Sequence, residues 1–218
     1  MNNKKGIPLI GIIAVVAVAV ICLFVFVLGK DDESDKGSGE GTPQAQLKSS
    51  MSADLSQAKV IKTSVEVSLG NESIFELCVE KPTVITLVPG QEFKGGTDCT
   101  YSGASNAMRI TGVSDMTWMS SSERTLTEVQ DMFAKEMSGN LGGKVPEISY
   151  TYNPETQEEV LNMNYYVYIS NKGTVEVYVG PSGLESAIAG QTDSDLSSVA
   201  NGEKGFYQLL PDTCDSYK

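Results

Sequence analysis

The pattern of hydrophobic and polar positions changes twice along the chain. Residues 7–28 form an unbroken apolar run without a charged or polar side chain. At about 1.5 Å of rise per residue, a helix of this length spans roughly 30 Å, which is close to the hydrocarbon thickness of a bilayer. The run is longer than the apolar core of a cleavable secretory signal, and it ends in bulky residues rather than small ones. We therefore predict a retained transmembrane helix, Ile7–Leu28, with the lipid bilayer as its partner.

The charges that flank this run predict its orientation. Lys4 and Lys5 precede it, whereas the lysines that follow it are mixed with the acidic residues of Asp31–Asp35. Lysine and arginine near the ends of a span favour the cytoplasmic side. We predict a cytoplasmic leader, residues 1–6, a single pass through the cell membrane, and a C-terminal domain outside.

The leader also supports a second interpretation of the N-terminus. It is basic and ends in Gly6 directly before the apolar run, and in this respect it resembles a type IV prepilin signal. Gly11 stands where most pilins carry glutamate, and acidic residues from Asp31 onward interrupt the long helix that pilins use for assembly. Because of these two departures, a pilin-like or secretion-apparatus structural subunit is the alternative hypothesis and not the preferred one.

The second change of pattern separates a polar segment from a folded domain. Residues 29–58 are rich in glycine, serine and acidic residues at their start and contain few apolar side chains, so they predict a flexible stalk. The remaining residues, 59–218, have the length of one domain.

Most of this domain has the period-two alternation of β-strands. Ile61–Leu69 alternates clearly and predicts the first strand. Phe75–Val79 alternates as well, although Ser73 and Glu76 form a capping box that would instead begin a short helix; we prefer the strand. Further strands are predicted over 84–88, 108–119, 148–152, 161–169, 175–179 and 206–210.

One segment has the periodicity of an amphipathic helix. Thr125 and Glu128 form a capping box, and apolar residues follow at helical spacing until Gly139 and Asn140 end the segment. A single apolar stripe predicts that this helix, Leu126–Met137, packs on one face of a sheet. Ser182 and Glu185 predict a shorter helix through Ala189. The fold class is therefore α+β, an antiparallel sheet of about five to seven strands with one main amphipathic helix.

The register of one hairpin follows from the side-chain period alone. A three-residue turn that ends at Gly173 pairs Ser170 with Thr174, whereas a two-residue turn would place apolar residues opposite polar ones. The predicted register sets Tyr166 opposite Tyr178 on one face. On the other face it pairs Ile169 with Val175, Val167 with Val177 and Tyr165 with Val179.

An aromatic and amide-rich strip on the first of these faces is the candidate ligand site. Its members are Tyr166, Tyr168, Tyr178, Asn162 and Asn164. Such a strip suits a sugar or a peptide, but cross-strand aromatic pairs also stabilise sheets that other parts of the chain cover. An open, concave surface here would support ligand binding, and a closed face would contradict it.

Composition excludes several kinds of chemistry. The chain contains no histidine, so the serine and cysteine triads and the usual zinc and copper sites are ruled out. All 28 acidic residues lie beyond residue 30 and the net charge is −12, which opposes binding to nucleic acid. We predict no metal site and no cofactor.

Three cysteines, Cys78, Cys99 and Cys214, belong to the predicted outer domain. Outside the cell we expect one disulfide among them, and loop-closure entropy favours Cys78 with Cys99 over either pairing with Cys214. A catalytic thiol is disfavoured because no histidine is present to activate it.

These observations predict a membrane-anchored binding, sensor or adaptor domain outside the cell, with an unknown protein or small molecule as its ligand. The pilin-like subunit is the first alternative. A carboxylate-dependent hydrolase is the second, and it requires two buried acids facing one cleft. No acid pair in the sequence identifies such a cleft, so no catalytic residue is predicted.

Overall fold

A computed structural model describes residues 43–113, 124–150, 162–189 and 206–217. Its helices are α1 (Pro43–Ser68), α2 (Glu72–Val79), α3 (Tyr101–Ala104), α4 (Leu126–Asn140) and α5 (Glu185–Ala189). Its strands are β1 (Thr83–Leu87), β2 (Met108–Thr111), β3 (Met163–Ile169), β4 (Val175–Pro181) and β5 (Tyr207–Leu210). Short 3₁₀ helices cover Gly96–Asp98 and Asp215–Tyr217.

The five described strands form one antiparallel sheet in the order β2-β1-β3-β4-β5. Strands β2 and β5 are therefore its edges. An antiparallel sheet combined with helices confirms the predicted α+β class.

Both faces of this sheet are covered. One face, which includes Ile85 and Val167, packs in a large core with buried residues of α1, α2 and α4. We call the opposite face the tyrosine face, because it carries Tyr166, Tyr168 and Tyr178. Helix α5 lies against β1, β2 and β3 on this second face.

The β3–β4 hairpin confirms the predicted register. Ser170 N donates to Thr174 O at 3.0 Å, and Gly173 has a φ of +76°. Tyr166 lies opposite Tyr178. A left-handed residue at the end of a three-residue turn is where glycine is favoured, since an L side chain is strained there. The Phe75 ring also approaches Gly173 so closely that an added Cβ would lie 2.9 Å from it.

Helix α4 confirms the predicted capping box. The Thr125 side chain accepts from Glu128 N, and Glu128 Oε2 accepts from Thr125 N at 2.7 Å. The helix continues through Asn140, where Leu141 N donates to Met137 O. Its buried stripe, Val129, Phe133, Ala134 and Met137, belongs to the large core.

Helix α1 corrects the predicted strand over Ile61–Leu69. Ile61 and Val65 are buried, whereas Thr63 and Val67 are exposed. A strand would place these four residues on one face, but the buried ones are four apart, which is the spacing of a helix. Ala58 extends the same buried stripe towards the N-terminus.

Packing explains why the alternation was misleading. Helix α1 lies against β4 and β5. Burial of its apolar stripe in the large core stabilises the helix even though apolar and polar residues alternate along this segment of the sequence. The helix begins at Pro43, so residues 43–58 of the predicted stalk are helical.

Helix α2 corrects the predicted strand over Phe75–Val79. Asn71 is its N-cap and accepts from Ser73 N at 3.2 Å, two residues before the cap that the sequence suggested. The buried residues are Ile74, Leu77 and Cys78, while Phe75 is 40% exposed. Spacing of three and four buries one side of a short helix and leaves Phe75 on the other.

Other predictions are confirmed only in part or lie outside the described residues. Strand β2 forms the first four residues of the strand predicted over 108–119, and β5 confirms the last strand. Residues 148–150 are described but are not in a strand. The predicted transmembrane helix 7–28 lies outside the described residues; within them, no helix has the length and apolarity to cross a bilayer.

Candidate functional site

Four polar residues of the tyrosine face lie in one row across the sheet. Arg109 on β2 pairs with Thr86 on β1, Thr86 pairs with Tyr166 on β3, and Tyr166 pairs with Tyr178 on β4. Residues directly opposite each other on antiparallel strands project to the same side. The row therefore runs from the edge strand β2 into the centre of the sheet.

The structure brings the predicted ligand strip together but closes it. Tyr166, Tyr168 and Tyr178 have no exposed surface, and Asn164 is 4% exposed. Asn162 is exposed and lies just outside β3, with a φ of +58°. The three tyrosines are therefore part of a core and not an open platform for a sugar or a peptide.

Residues distant in sequence cover the strip. The Phe206 ring stacks on Tyr178 with 5.0 Å between ring centroids, and it meets Tyr166 edge-on at 6.1 Å. Leu184 and Ile188 pack with these rings in a second, smaller core on the tyrosine face. Alternation in the sequence identifies the face on which residues lie, but it does not reveal whether another segment covers that face.

The hydroxyl group of Tyr166 forms hydrogen bonds with the backbone beside α5. It donates to Pro181 O at 2.5 Å and accepts from Leu184 N at 3.4 Å. Burial raises the pKa of Tyr166, so this phenol stays protonated at neutral pH. Tyr166 therefore joins the start of α5 to the sheet.

An ion pair lies at the outer end of the row. Arg109 Nη2 donates to Glu185 Oε1 at 2.8 Å, which joins β2 to α5. The Arg109 side chain is 45% exposed, whereas that of Glu185 is 18% exposed. The guanidinium thus faces solvent while the carboxylate points into the protein.

Two buried oxygen atoms, one within this ion pair and one on the neighbouring strand β1, have no hydrogen-bond partner in the described structure. They are Oε2 of Glu185 and Oγ1 of Thr86. A buried polar atom without a partner costs about 1 to 3 kcal/mol, and such atoms often mark a place where a water or a ligand binds. We call Arg109, Thr86 and Glu185 the edge cluster.

The sequence did not identify the edge cluster. The sequence predicts a strand over 108–119 that contains Arg109 and a short helix that Glu185 helps to begin, but 76 positions separate the two residues. Only the register of β1 with β2 and the position of α5 bring these residues together.

A buried carboxylate lies on the opposite side of the sheet. Asp54 of α1 has no exposed surface; its Oδ1 accepts from Ser149 N at 2.6 Å and its Oδ2 from Tyr150 N at 2.9 Å. The Tyr217 hydroxyl lies 3.4 Å from Oδ2. Burial raises the pKa of Asp54, and the backbone hydrogen bonds oppose that rise. These contacts fasten α1 to two other parts of the chain.

No disulfide joins Cys78, Cys99 and Cys214 in the structure, contrary to the pairing expected from the sequence. Cys78 is enclosed in the large core, where burial raises the pKa of its thiol to about 12. The Cys99 thiol donates to Ala134 O at 3.2 Å. Loop-closure entropy ranks the pairings but does not place two thiols side by side, and packing directs these two to other neighbours.

Metal binding has no candidate among the described residues, where no three acidic or cysteine side chains come together in a group suited to an ion. The described residues form an antiparallel α+β domain that carries a partly exposed polar cluster at a sheet edge. No protein-family model, curated protein or solved structure matches the chain.

Proposed function

We propose that this protein is a single-pass, membrane-anchored binding or sensor domain that works outside the cell. The apolar run Ile7–Leu28 supports the anchor, and Lys4 and Lys5 before it support a cytoplasmic N-terminus. The acidic segment that follows suits an aqueous exterior. A linker of about 14 residues connects this anchor to α1.

The edge cluster is the observation that carries the binding role. Arg109 is reachable from solvent, and the unpartnered oxygens of Thr86 and Glu185 lie behind it. A ligand that donates hydrogen bonds to these oxygens would remove their unfavourable burial, so the cluster gains more from a ligand than a fully satisfied surface does. We therefore assign the candidate ligand site to the edge cluster and not to the buried tyrosines.

The arrangement of acids gives less support to a carboxylate-dependent hydrolase. Within the described residues, Asp54 lies on the side of the large core and Glu185 on the tyrosine face. A hydrolase of this kind uses two carboxyl groups about 5 to 10 Å apart across one cleft. A sheet separates these two, so they do not form that pair.

A protease-protection experiment tests the location. The full chain, tagged at both ends, is expressed in cells, and a protease is added before or after lysis. We expect the C-terminal tag to be lost from intact cells and the N-terminal tag to be lost only after lysis. A protected C-terminal tag in intact cells would contradict the proposed topology.

Mass spectrometry of the untagged full chain tests the pilin-like alternative. A mature N-terminus at Ile7 supports the alternative, whereas a chain that begins at Met1 or Asn2 removes it.

A thermal-shift screen tests the binding role. The full chain in mild detergent is exposed to three defined classes of probe, namely free amino acids, neutral monosaccharides and small carboxylate anions. Binding at the edge cluster predicts that one class raises the unfolding temperature and that Thr86→Val reduces the rise. The absence of a shift with all three classes would contradict the proposal.

A further inference from the structure

We propose that the edge cluster binds a small zwitterion, a molecule with one primary ammonium group and one carboxylate, such as a free amino acid. This inference rests on the proposed binding function and names the chemical class of its ligand. It follows from three properties of the cluster: the unpartnered acceptors, the free donors of Arg109 and the balance of charge.

The inner part of the cluster offers acceptors. Glu185 Oε2 carries negative charge and accepts only, and the hydroxyl of Thr86 both accepts and donates. Both atoms are buried without a hydrogen-bond partner among the described residues. An ammonium group has three donors and a positive charge, so its chemistry matches both a carboxylate oxygen and a hydroxyl oxygen. A neutral hydroxyl or amide group has fewer donors and cannot offset the charge on the carboxylate.

The outer part of the cluster offers donors. Arg109 uses Nη2 for Glu185, and the described structure shows no second acceptor for the rest of its guanidinium. A side chain that is 45% exposed leaves these N–H groups accessible. Arginine binds carboxylates through two parallel hydrogen bonds, which fix orientation as well as position.

Charge balance selects a zwitterion over a simple ion. Arg109 and Glu185 neutralise each other, so a bound anion would face the Glu185 carboxylate and a chain whose net charge is −12. A bound cation would instead face the guanidinium of Arg109. A zwitterion places each of its charges against the opposite member of the pair without changing the net charge of the site.

The register holds these groups in a fixed relation. Thr86 and Arg109 are direct cross-strand partners, and α5 carries Glu185 above them. The Tyr166 hydroxyl, hydrogen-bonded to Pro181 O and Leu184 N, fastens the segment before α5 to β3. Helix α5 and the two strands therefore present a preorganised set of donors and acceptors, which lowers the cost of binding.

The test measures the binding of the 20 free L-amino acids to the full chain in mild detergent by calorimetry and thermal shift. We expect one or more to bind. Its N-acetyl derivative lacks the ammonium group and its amide lacks the carboxylate, and we expect each to bind at least 10-fold more weakly. The loss of a charge-assisted hydrogen bond corresponds to about a 10- to 100-fold loss of affinity.

Three variants locate the binding. Glu185→Gln keeps the shape of the side chain and removes its charge, and Arg109→Gln changes a half-exposed side chain without opening the core; each should weaken binding at least 10-fold. Glu92→Gln changes an exposed acid on another loop and is the matched control, with affinity expected to stay within 2-fold of the wild type. Because the Arg109 side chain is 45% exposed, its variant remains informative if the Glu185 variant does not fold.

The outcomes separate this inference from the function on which it rests. If a sugar or an anion binds and Glu185→Gln or Arg109→Gln weakens it, the zwitterion inference is overturned and the binding function stands. If an amino acid and its acetylated form bind equally, the ammonium has no role and the inference is again overturned. If no probe of any class binds, the two oxygens hold only water, and both proposals fail.

Discussion

Replacement of Asp54 by asparagine tests the buried carboxylate that fastens α1 to the rest of the domain. The two side chains have nearly the same shape, so the change leaves no cavity. Asparagine retains one acceptor oxygen, but its NH₂ group would point at the second backbone N–H. Either Ser149 N or Tyr150 N, which Asp54 now binds at 2.6 and 2.9 Å, would lose its acceptor.

The magnitude follows from this lost hydrogen bond. A hydrogen bond to a charged group contributes about 1.5 to 3 kcal/mol, and relief from burying the charge of Asp54 offsets part of the loss. We expect Asp54→Asn to lower the free energy of unfolding by about 2 kcal/mol at pH 7. For a domain of this size, that corresponds to a fall of about 4 to 8 °C in unfolding temperature.

The pH dependence has a defined sign. Burial raises the pKa of Asp54 above its ordinary value of 3.8, so the folded state binds the proton more strongly than the unfolded state. The resulting stability is fully present below the unfolded pKa and is lost as the pH rises through the folded pKa. Asparagine does not titrate. The difference in stability between the wild type and Asp54→Asn should therefore shrink as the pH rises above about 3.8.

Urea unfolding followed by far-ultraviolet circular dichroism measures both effects on the full chain in mild detergent. Asp212→Asn is the matched control, because Asp212 is exposed, and its stability should lie within about 0.5 kcal/mol of the wild type. An Asp54 variant as stable as the wild type at pH 7, or a difference in stability that grows with pH, would contradict the role of the buried carboxylate.

Three further predictions concern the helices and turns. Thr125→Ala removes the N-cap of α4 and should lower the free energy of unfolding, measured with a chemical denaturant, by about 1 kcal/mol. Thr127→Ala, at an exposed position of the same helix, should lower it by less than half as much. Gly173→Ala should lower the free energy of unfolding more than Gly142→Ala, which should lower it by about 1 kcal/mol. Both glycines have positive φ, but of the two only Gly173 lies against an aromatic ring. Equal losses of stability would therefore exclude a role for that contact. Cys78 should resist alkylation in the folded protein and react after unfolding, because it is buried and its thiol pKa is about 12; rapid reaction of the native protein would contradict its placement.

The features predicted correctly depend on local rules. The capping box at Thr125 joins residues three positions apart, and the turn that ends at Gly173 is specified by turn length and side-chain period. Register follows directly, because a slip of one residue would exchange the buried and exposed sets. The pairing of Tyr166 with Tyr178 could therefore be derived without knowledge of the rest of the fold.

The two strands predicted wrongly show where local rules fail. Ile61 and Val65 fit both a strand and a helix, and the difference lies in whether Thr63 and Val67 are buried. Contact of α1 with β4 and β5 decides this, because burial of one stripe in the large core outweighs the weak intrinsic preference of β-branched residues for strands.

The apolar N-terminal run, the α+β class, the main helix and the tyrosine hairpin could all be derived from the amino-acid sequence, since each depends on the order of neighbouring residues. Two other features are visible only in the folded protein: Phe206 covers the tyrosines, and Arg109, Thr86 and Glu185 meet at the sheet edge. Such contacts depend on how distant segments pack. A pattern along the chain specifies which side a residue faces, whereas the packing specifies what it faces.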